Sequence, residues 1–221
     1  MKKLLVSLAA LFVLSLPVAV RADVLTFVPP DADLDDLDHH KAYTWKVSNV
    51  DLKGKSILSA KITFKNIRNW DSNPNRLFVH LLDNAKFSGV RSFTDDTNSD
   101  NNAGDIFDDF ANDRYHNDPN WLVASGTGDT FLFDREFSET AETFVYNFEA
   151  HELAALFAYI TNGGNFALGF DPDCHFFNDW IKLEITTGNA PVPEPATMTL
   201  LGTGLAGLYY RRRRQRAQRA A

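Results

Sequence analysis

Cysteine is almost absent from this 221-residue chain, with Cys174 standing alone. No intrachain disulfide framework is therefore available, and a Cys-zinc or dithiol redox centre has no second thiol. Positive charge is also short. Lys and Arg number 22 against 29 Asp and Glu, a formal charge of −7, which argues against the basic face that nucleic-acid binding requires. No uninterrupted apolar run reaches the ~20 residues of an ordinary transmembrane helix. Gly-x-Ser-x-Gly, P-loop and dinucleotide fingerprints are missing too, so no familiar nucleophile elbow or phosphate cradle is encoded. What is present is a 44% hydrophobic fraction that includes 18 Phe, 6 Tyr and 4 Trp, enough to exclude a wholly disordered chain.

The ends differ from the middle. Lys2 and Lys3 precede the apolar stretch Leu4–Leu16, Pro17 breaks it, and Val20-Arg21-Ala22 puts a small residue where a peptidase cuts. Residues 1–22 therefore predict a secretory signal helix that engages the Sec export machinery and is removed by signal peptidase. At the other end, Val192-Pro193-Glu194-Pro195 leads into 15 uncharged residues, Ala196–Tyr210, and then Arg211, Arg212, Arg213 and Arg214. As a helix that stretch would span only about 22 Å, a short membrane helix for a ~30 Å hydrocarbon core, with its arginines on the cytoplasmic side.

Pro193, Glu194 and Pro195, the apolar stretch and the four arginines together resemble the PEP-CTERM sorting signal of exported bacterial proteins. The resemblance implies a Gram-negative host and a membrane transpeptidase-like enzyme, exosortase, as processing partner. It further implies transit through the inner membrane to the cell surface, outer envelope or exopolysaccharide matrix.

Between a signal peptide at 1–22 and a sorting segment at 191–221 lies one domain, residues 23–190. It carries 13 basic and 28 acidic residues, a charge of −15, and its acids comprise 22 Asp but only 6 Glu. Such a domain repels nucleic acid and anionic lipid and attracts divalent cations. Asp favours turns and is a hard oxygen ligand for calcium. Tyr43, Trp45 and Val47 alternate with polar residues, as do Leu58, Ala60, Ile62 and Phe64, the period of half-buried strands. Segments 77–82, 131–137, 144–148, 166–170 and 177–185 are further strand candidates. Ala150, Leu153, Ala154, Leu156, Phe157 and Ile160 instead recur at helical spacing, ahead of a left-handed cap in Asn162-Gly163-Gly164. The expected fold is mainly β: an antiparallel two-sheet β-sandwich of jelly-roll type with one short helix, plus the N-terminal signal helix and the C-terminal membrane helix.

Several residue groups are site candidates. The stretch from Asp95 to Asp118 holds eight aspartates. Its Asp96-x-Asn98-x-Asp100 copies the first ligands of a calcium loop, but Asn101 and Phe107 stand where that loop needs Gly and Glu, so it is not an EF-hand. Calcium held by Asp96, Asn98, Asp100, Asp105 and Asp108 is one expectation; a solvated acidic loop is the other. The tract Asp171–Asp179 resembles the final hairpin of sandwich domains in other PEP-CTERM proteins, which implies a structural role with Asp171 and Asp173 as weaker cation ligands. Cys174 and His175 are adjacent, and neighbours on a strand point to opposite faces, so they make a poor nucleophile pair. His39-His40 after Asp38 suits a transition metal or an exposed arm. His151-Glu152 opens like a zinc-protease helix, but Ala155 replaces the second ligand. His80 lies in an apolar strand and reads as a hydrogen-bonded core or sheet-face residue. Trp70 and Trp121 sit among Asn, Asp and Pro and are candidates for stacking on a sugar ring or for capping the sandwich. The expected function is a non-catalytic adhesive, structural or polysaccharide-associated role in the surface or biofilm matrix. A secreted polysaccharide lyase or glycosidase is the alternative, since sandwiches host both.

Overall fold

The computed structural model describes residues 22–30, 34–94, 108–111 and 115–189, with isolated positions between 202 and 218. Two compact units divide after Gly188. In the first, the early strands are β1 (Asp23–Phe27), β2 (Asp36–Leu37), β3 (Lys41–Val47), β4 (Ser56–Asn69), β5 (Arg76–Leu82) and β6 (Gly89–Thr94). Then follow β7 (Asp129–Glu136), β8 (Glu142–Asn147), helix α1 (Ala150–Thr161), β9 (Phe166–Pro172), β10 (Phe176–Phe177) and β11 (Trp180–Gly188). One sheet runs β1-β11-β4-β10-β2 with β8 on the other edge of β4, and the second runs β6-β3-β9-β5-β7. Every pairing is antiparallel, which gives the mainly-β, two-sheet architecture expected.

Alternation builds the core. Tyr43, Trp45 and Val47 of β3, Leu77, Val79 and Leu81 of β5, and Phe166, Leu168 and Phe170 of β9 face Ala60, Ile62 and Phe64 of β4 and Ile181, Leu183 and Ile185 of β11 in one buried cluster. Each such large side chain contributes roughly 1.5–3 kcal/mol relative to exposure. Leu58 departs from its expected place and is 45% exposed. The pairing passes from Thr186↔Ser59 to Thr187↔Ile57, so Leu58 is the extra residue of a bulge, and a bulge turns the alternation over. A second irregularity between Phe64 and Ile67 in the β8 ladder accompanies Asn66 at φ 54. It lets both Phe64 and Ile67 point inward across an odd spacing. The strand expected at 177–185 is two strands, because Asn178 and Asp179 leave the ladder to donate their N–H groups to Asp35 and Lys65 carbonyls.

Helix α1 starts with a capping box between Glu149 and Glu152. Glu152 is buried, and its carboxylate accepts from the Glu149 N–H at 2.6 Å and the Tyr146 hydroxyl at 2.6 Å. Leu156 and Ile160 face the core while Phe157 is 39% exposed. The helix ends at Asn162 with φ −78. The left-handed residue is Gly164, φ +72, whose N–H reaches the Ile160 carbonyl at 2.7 Å.

A second layer covers the outer face of the five-stranded sheet. Phe110, Trp121, Leu122 and Val123 pack on Ala42, Leu82, Ala85 and Ala167. Gly169 has no room for a side chain because Phe110 lies 3.0 Å from where a Cβ would stand. This layer explains why β9 is buried at every position. In the C-terminal unit, Gly202, Gly204, Leu205, Leu208, Tyr209, Gln215 and Gln218 are helical and exposed. Among the described residues no helix is long and apolar enough to cross a membrane. The signal helix expected at 1–22 lies, except for Ala22, outside the described residues.

Candidate functional site

Three connections meet at one end of the sandwich. The Asn69 N–H donates to the Ser138 carbonyl at 2.9 Å and the Trp70 N–H to the His175 carbonyl at 3.0 Å. These bonds draw the β4–β5, β7–β8 and β9–β10 turns together. The β4–β5 turn is held by its own amides: Asp71 Oδ1 accepts from the Asn73 N–H at 2.9 Å and from Asn75 Nδ2 at 2.9 Å. Asn69 Nδ2 donates to the Asn73 carbonyl at 2.8 Å. Asx bonding of this kind fixes a turn without a regular ladder.

Between the turns lies a groove of about 470 Å³ lined by Asp71, Ser72, Asn73, Pro74, Glu136, Phe137, Ser138 and Glu139. Trp70, immediately before Asp71, is 59% exposed. The groove's carboxylates and amides thus belong to the turn that an exposed indole opens, with the Trp70 ring 6.1 Å from that of His175. Indole, carboxylate and amide are the groups that hydroxyl-rich rings use for stacking and hydrogen bonding. Nearby, burial pushes the Asp173 carboxyl up to about 7. Glu136 adds to the rise and Arg76 opposes it, through both its charge and the N–H it donates to Asp173. The Arg76 guanidinium itself pairs with Asp134 and, at 3.0 Å, with Glu136.

The expected site residues fall into different places. Asp96, Asn98, Asp100 and Asp105 lie outside the described residues. Asp108 is turned into the domain: Oδ2 meets His80 Nε2 at 2.9 Å and Oδ1 accepts the Ala111 N–H at 3.1 Å. Asp171 is buried under the second layer and accepts the Asp109 N–H at 2.7 Å. Trp70 is exposed, whereas for Trp121 the stacking alternative is corrected in favour of the packing one. Trp121 is 1% exposed and its indole packs against Phe93, Phe110 and Tyr115, so it anchors the outer layer and offers no face to a ligand. Burial raises the Cys174 thiol above its ordinary value, which works against a thiolate nucleophile.

His80 is the hydrogen-bonded core residue expected, but its partners could not be read from the sequence. His80, fully buried, has Nδ1 at 2.8 Å from Asp129 and Nε2 at 2.9 Å from Asp108. Burial alone would lower its pKa, but the hydrogen bonds and charges of the two carboxylates prevail and raise it to about 9. At neutral pH the imidazolium is therefore a charged clamp between β7 and the outer layer. Its partners are 28 and 49 residues away, so no local pattern marks them. A metal-sized grouping also appears among the described residues: Asp38, His39 and His175.

Fold and groove define a mainly-β sandwich domain with an acidic surface groove built by its turns. Residues 191–214 match the family model described as the PEP-CTERM protein-sorting motif. The match contains Pro193, Glu194, Pro195 and Arg211 to Arg214, all outside the described residues. The chain thus carries a PEP-CTERM sorting signal, which supports an exported protein processed by exosortase in a Gram-negative cell. No curated protein matches the chain.

Proposed function

We propose that the chain is a non-catalytic surface or matrix protein, released from the inner membrane by exosortase, whose sandwich domain attaches to extracellular polysaccharide at the Trp70 groove. The observation that carries this reading is the exposed Trp70 indole at the start of the turn whose Asp71 and Asn73 line a groove with Glu136 and Glu139. Immobilised exopolysaccharide should retain the full chain without being shortened, and Trp70→Ala should abolish retention. Equal retention of the variant would refute the groove as the contact. Sorting has a separate test: alanines at Pro193, Glu194 and Pro195 should leave the protein membrane-bound and uncleaved.

A catalytic reading has one observation in its favour, the raised Asp173 carboxyl near Glu136, since a carboxylic acid and a carboxylate are the tools of glycoside cleavage. Polysaccharide shortening that disappears in Asp173→Asn would establish it. Calcium is part of the proposal as a stabiliser of the acidic segment, supported by the crowding of Asp96, Asp100 and Asp105. Excess calcium-selective chelator should lower the melting temperature, and an unchanged curve would remove calcium from the account.

A further inference from the structure

The two-residue ladder between β2 and β10 joins Leu37 to Phe176 and brings the polar residues around it together. Asp36, Asp38 and His39 come from the arm and His175 from the β9–β10 turn. His39 Nδ1 and His175 Nε2 each lie 3.4 Å from the same atom, Asp38 Oδ1. That separation is long for a hydrogen bond, which centres near ~2.9 Å. It matches the ligand–ligand edge of a tetrahedral zinc site, about 3.3–3.4 Å for bonds of ~2.0–2.1 Å.

The second observation concerns the other ring nitrogen. His175 Nδ1 lies 3.2 Å from Asp36 Oδ1. An ionised Asp36 only accepts, so this contact suits the tautomer with the proton on Nδ1, the one in which Nε2 is available to a metal. A carboxylate behind a ligating imidazole is the usual arrangement that orients and strengthens a metal-binding histidine.

The surroundings hold these groups in place. The Asp38 N–H donates to the Tyr43 hydroxyl at 2.9 Å, the Asn178 N–H donates to the Asp35 carbonyl at 2.9 Å, and Asn178 Nδ2 donates to the Leu34 carbonyl. The His39 ring packs 3.7 Å from that of His40 and 4.7 Å from that of His175. The side chains of Asp38, His39 and His175 are 25–29% exposed, open enough for an ion to enter and sheltered enough to weaken competition from water.

We infer that Asp38, His39 and His175 form a binding site for a divalent transition metal of the zinc class, with Asp36 orienting His175. Two imidazoles and one carboxylate favour such an ion over calcium, which prefers six or more oxygens. Solvent completes the coordination. The ion clasps the N-terminal arm to the β9–β10 turn, and so stiffens the turn whose His175 carbonyl anchors Trp70. The site stands on its own geometry and does not depend on polysaccharide binding.

The test uses the full chain in detergent, stripped with chelator and titrated with zinc chloride alone. Binding of one equivalent is expected, with cobalt giving the visible spectrum of a tetrahedral ion. His39→Ala and His175→Ala should each abolish stoichiometric binding. Asp36→Asn should weaken it 10–100-fold, and His151→Ala, on an exposed helix position, should change nothing. Because both histidines are part-exposed, the variants keep their strand circular dichroism, and agreement between two separate variants distinguishes a lost ligand from a lost fold. No one-equivalent binding, binding unaltered in both histidine variants, or displacement of zinc by an equal concentration of calcium would overturn the inference.

Discussion

His80 and His175 each lie between two aspartates, but at different depths and distances. His80 is fully buried, with its carboxylates at 2.8 and 2.9 Å. His175 is 28% exposed, with carboxylates at 3.2 and 3.4 Å. The deep cluster is closed: Phe110 and Phe131 flank the imidazole at 5.5 and 5.3 Å, and short charge-assisted hydrogen bonds satisfy both ring nitrogens. The shallow cluster sets the same kinds of side chain at longer separations, 3.2 to 3.4 Å. Depth decides between the two outcomes. In the interior a charge must be neutralised by direct contact, whereas at the rim water screens the charges and leaves the geometry able to accept an ion.

The comparison can be broken most severely at His80. His80→Ala leaves Asp108 and Asp129 without their shared cation. Removing one partner of a fully buried ion pair costs about 3–5 kcal/mol, and the 31% exposure of the Asp129 side chain puts the loss here toward or below the lower end. A urea unfolding midpoint close to that of the parent would show that the clamp is not structural.

The next test is pH. The folded pKa of about 9 lies above the ordinary 6.5, so the native state holds the proton that the unfolded state releases. This contribution is fully present below pH 6.5 and disappears as pH rises through 9. Its size is on the order of 3 kcal/mol. Unfolding free energies measured across that interval should fall in the parent and stay flatter in His80→Ala.

A smaller effect is expected at the shallow cluster. Without metal, His175→Ala should cost less than ~1 kcal/mol. Zinc at a hundredfold excess over its dissociation constant should add about 2.7 kcal/mol to the parent and nothing to the variant. Paired thermal melts with and without zinc read this directly. Smallest of all is Trp70→Ala, expected to leave unfolding within ~0.5 kcal/mol while polysaccharide retention is lost. A large drop in melting temperature would recast Trp70 as a packing residue.

The strand at 43–47 was legible because Tyr43, Trp45 and Val47 alternate with polar residues, while 77–82 and 166–170 stood out as short apolar runs because both of their faces are covered. Short β2 and edge strands β1 and β6 left weaker patterns. Leu58 and Phe157 look apolar enough to be core, yet a bulge turns one outward and the helix rotation leaves the other at the surface. The candidate site was half legible. Trp70 among Asn and Asp was readable as a loop indole, while the same pattern left Trp121 open between stacking and packing, because a loop folded back on a sheet buries its aromatics just as a strand does. Glu136 and Glu139 joined the groove without any mark in their neighbours.

By itself the sequence determined the sorting motif and the class: Pro193-Glu194-Pro195, the apolar stretch after it and the arginines follow one another along the chain, so they are legible without a fold. It also determined the β-rich core through local alternation. Tertiary structure alone decided which histidine became a buried clamp and which an open cluster. His80 meets Asp108 and Asp129, and His175 meets Asp36 and Asp38, across separations from 28 to 139 residues. Distances of that kind are set by sheet pairing and by the layer above it, where burial, not residue type, fixes what a His–Asp contact becomes.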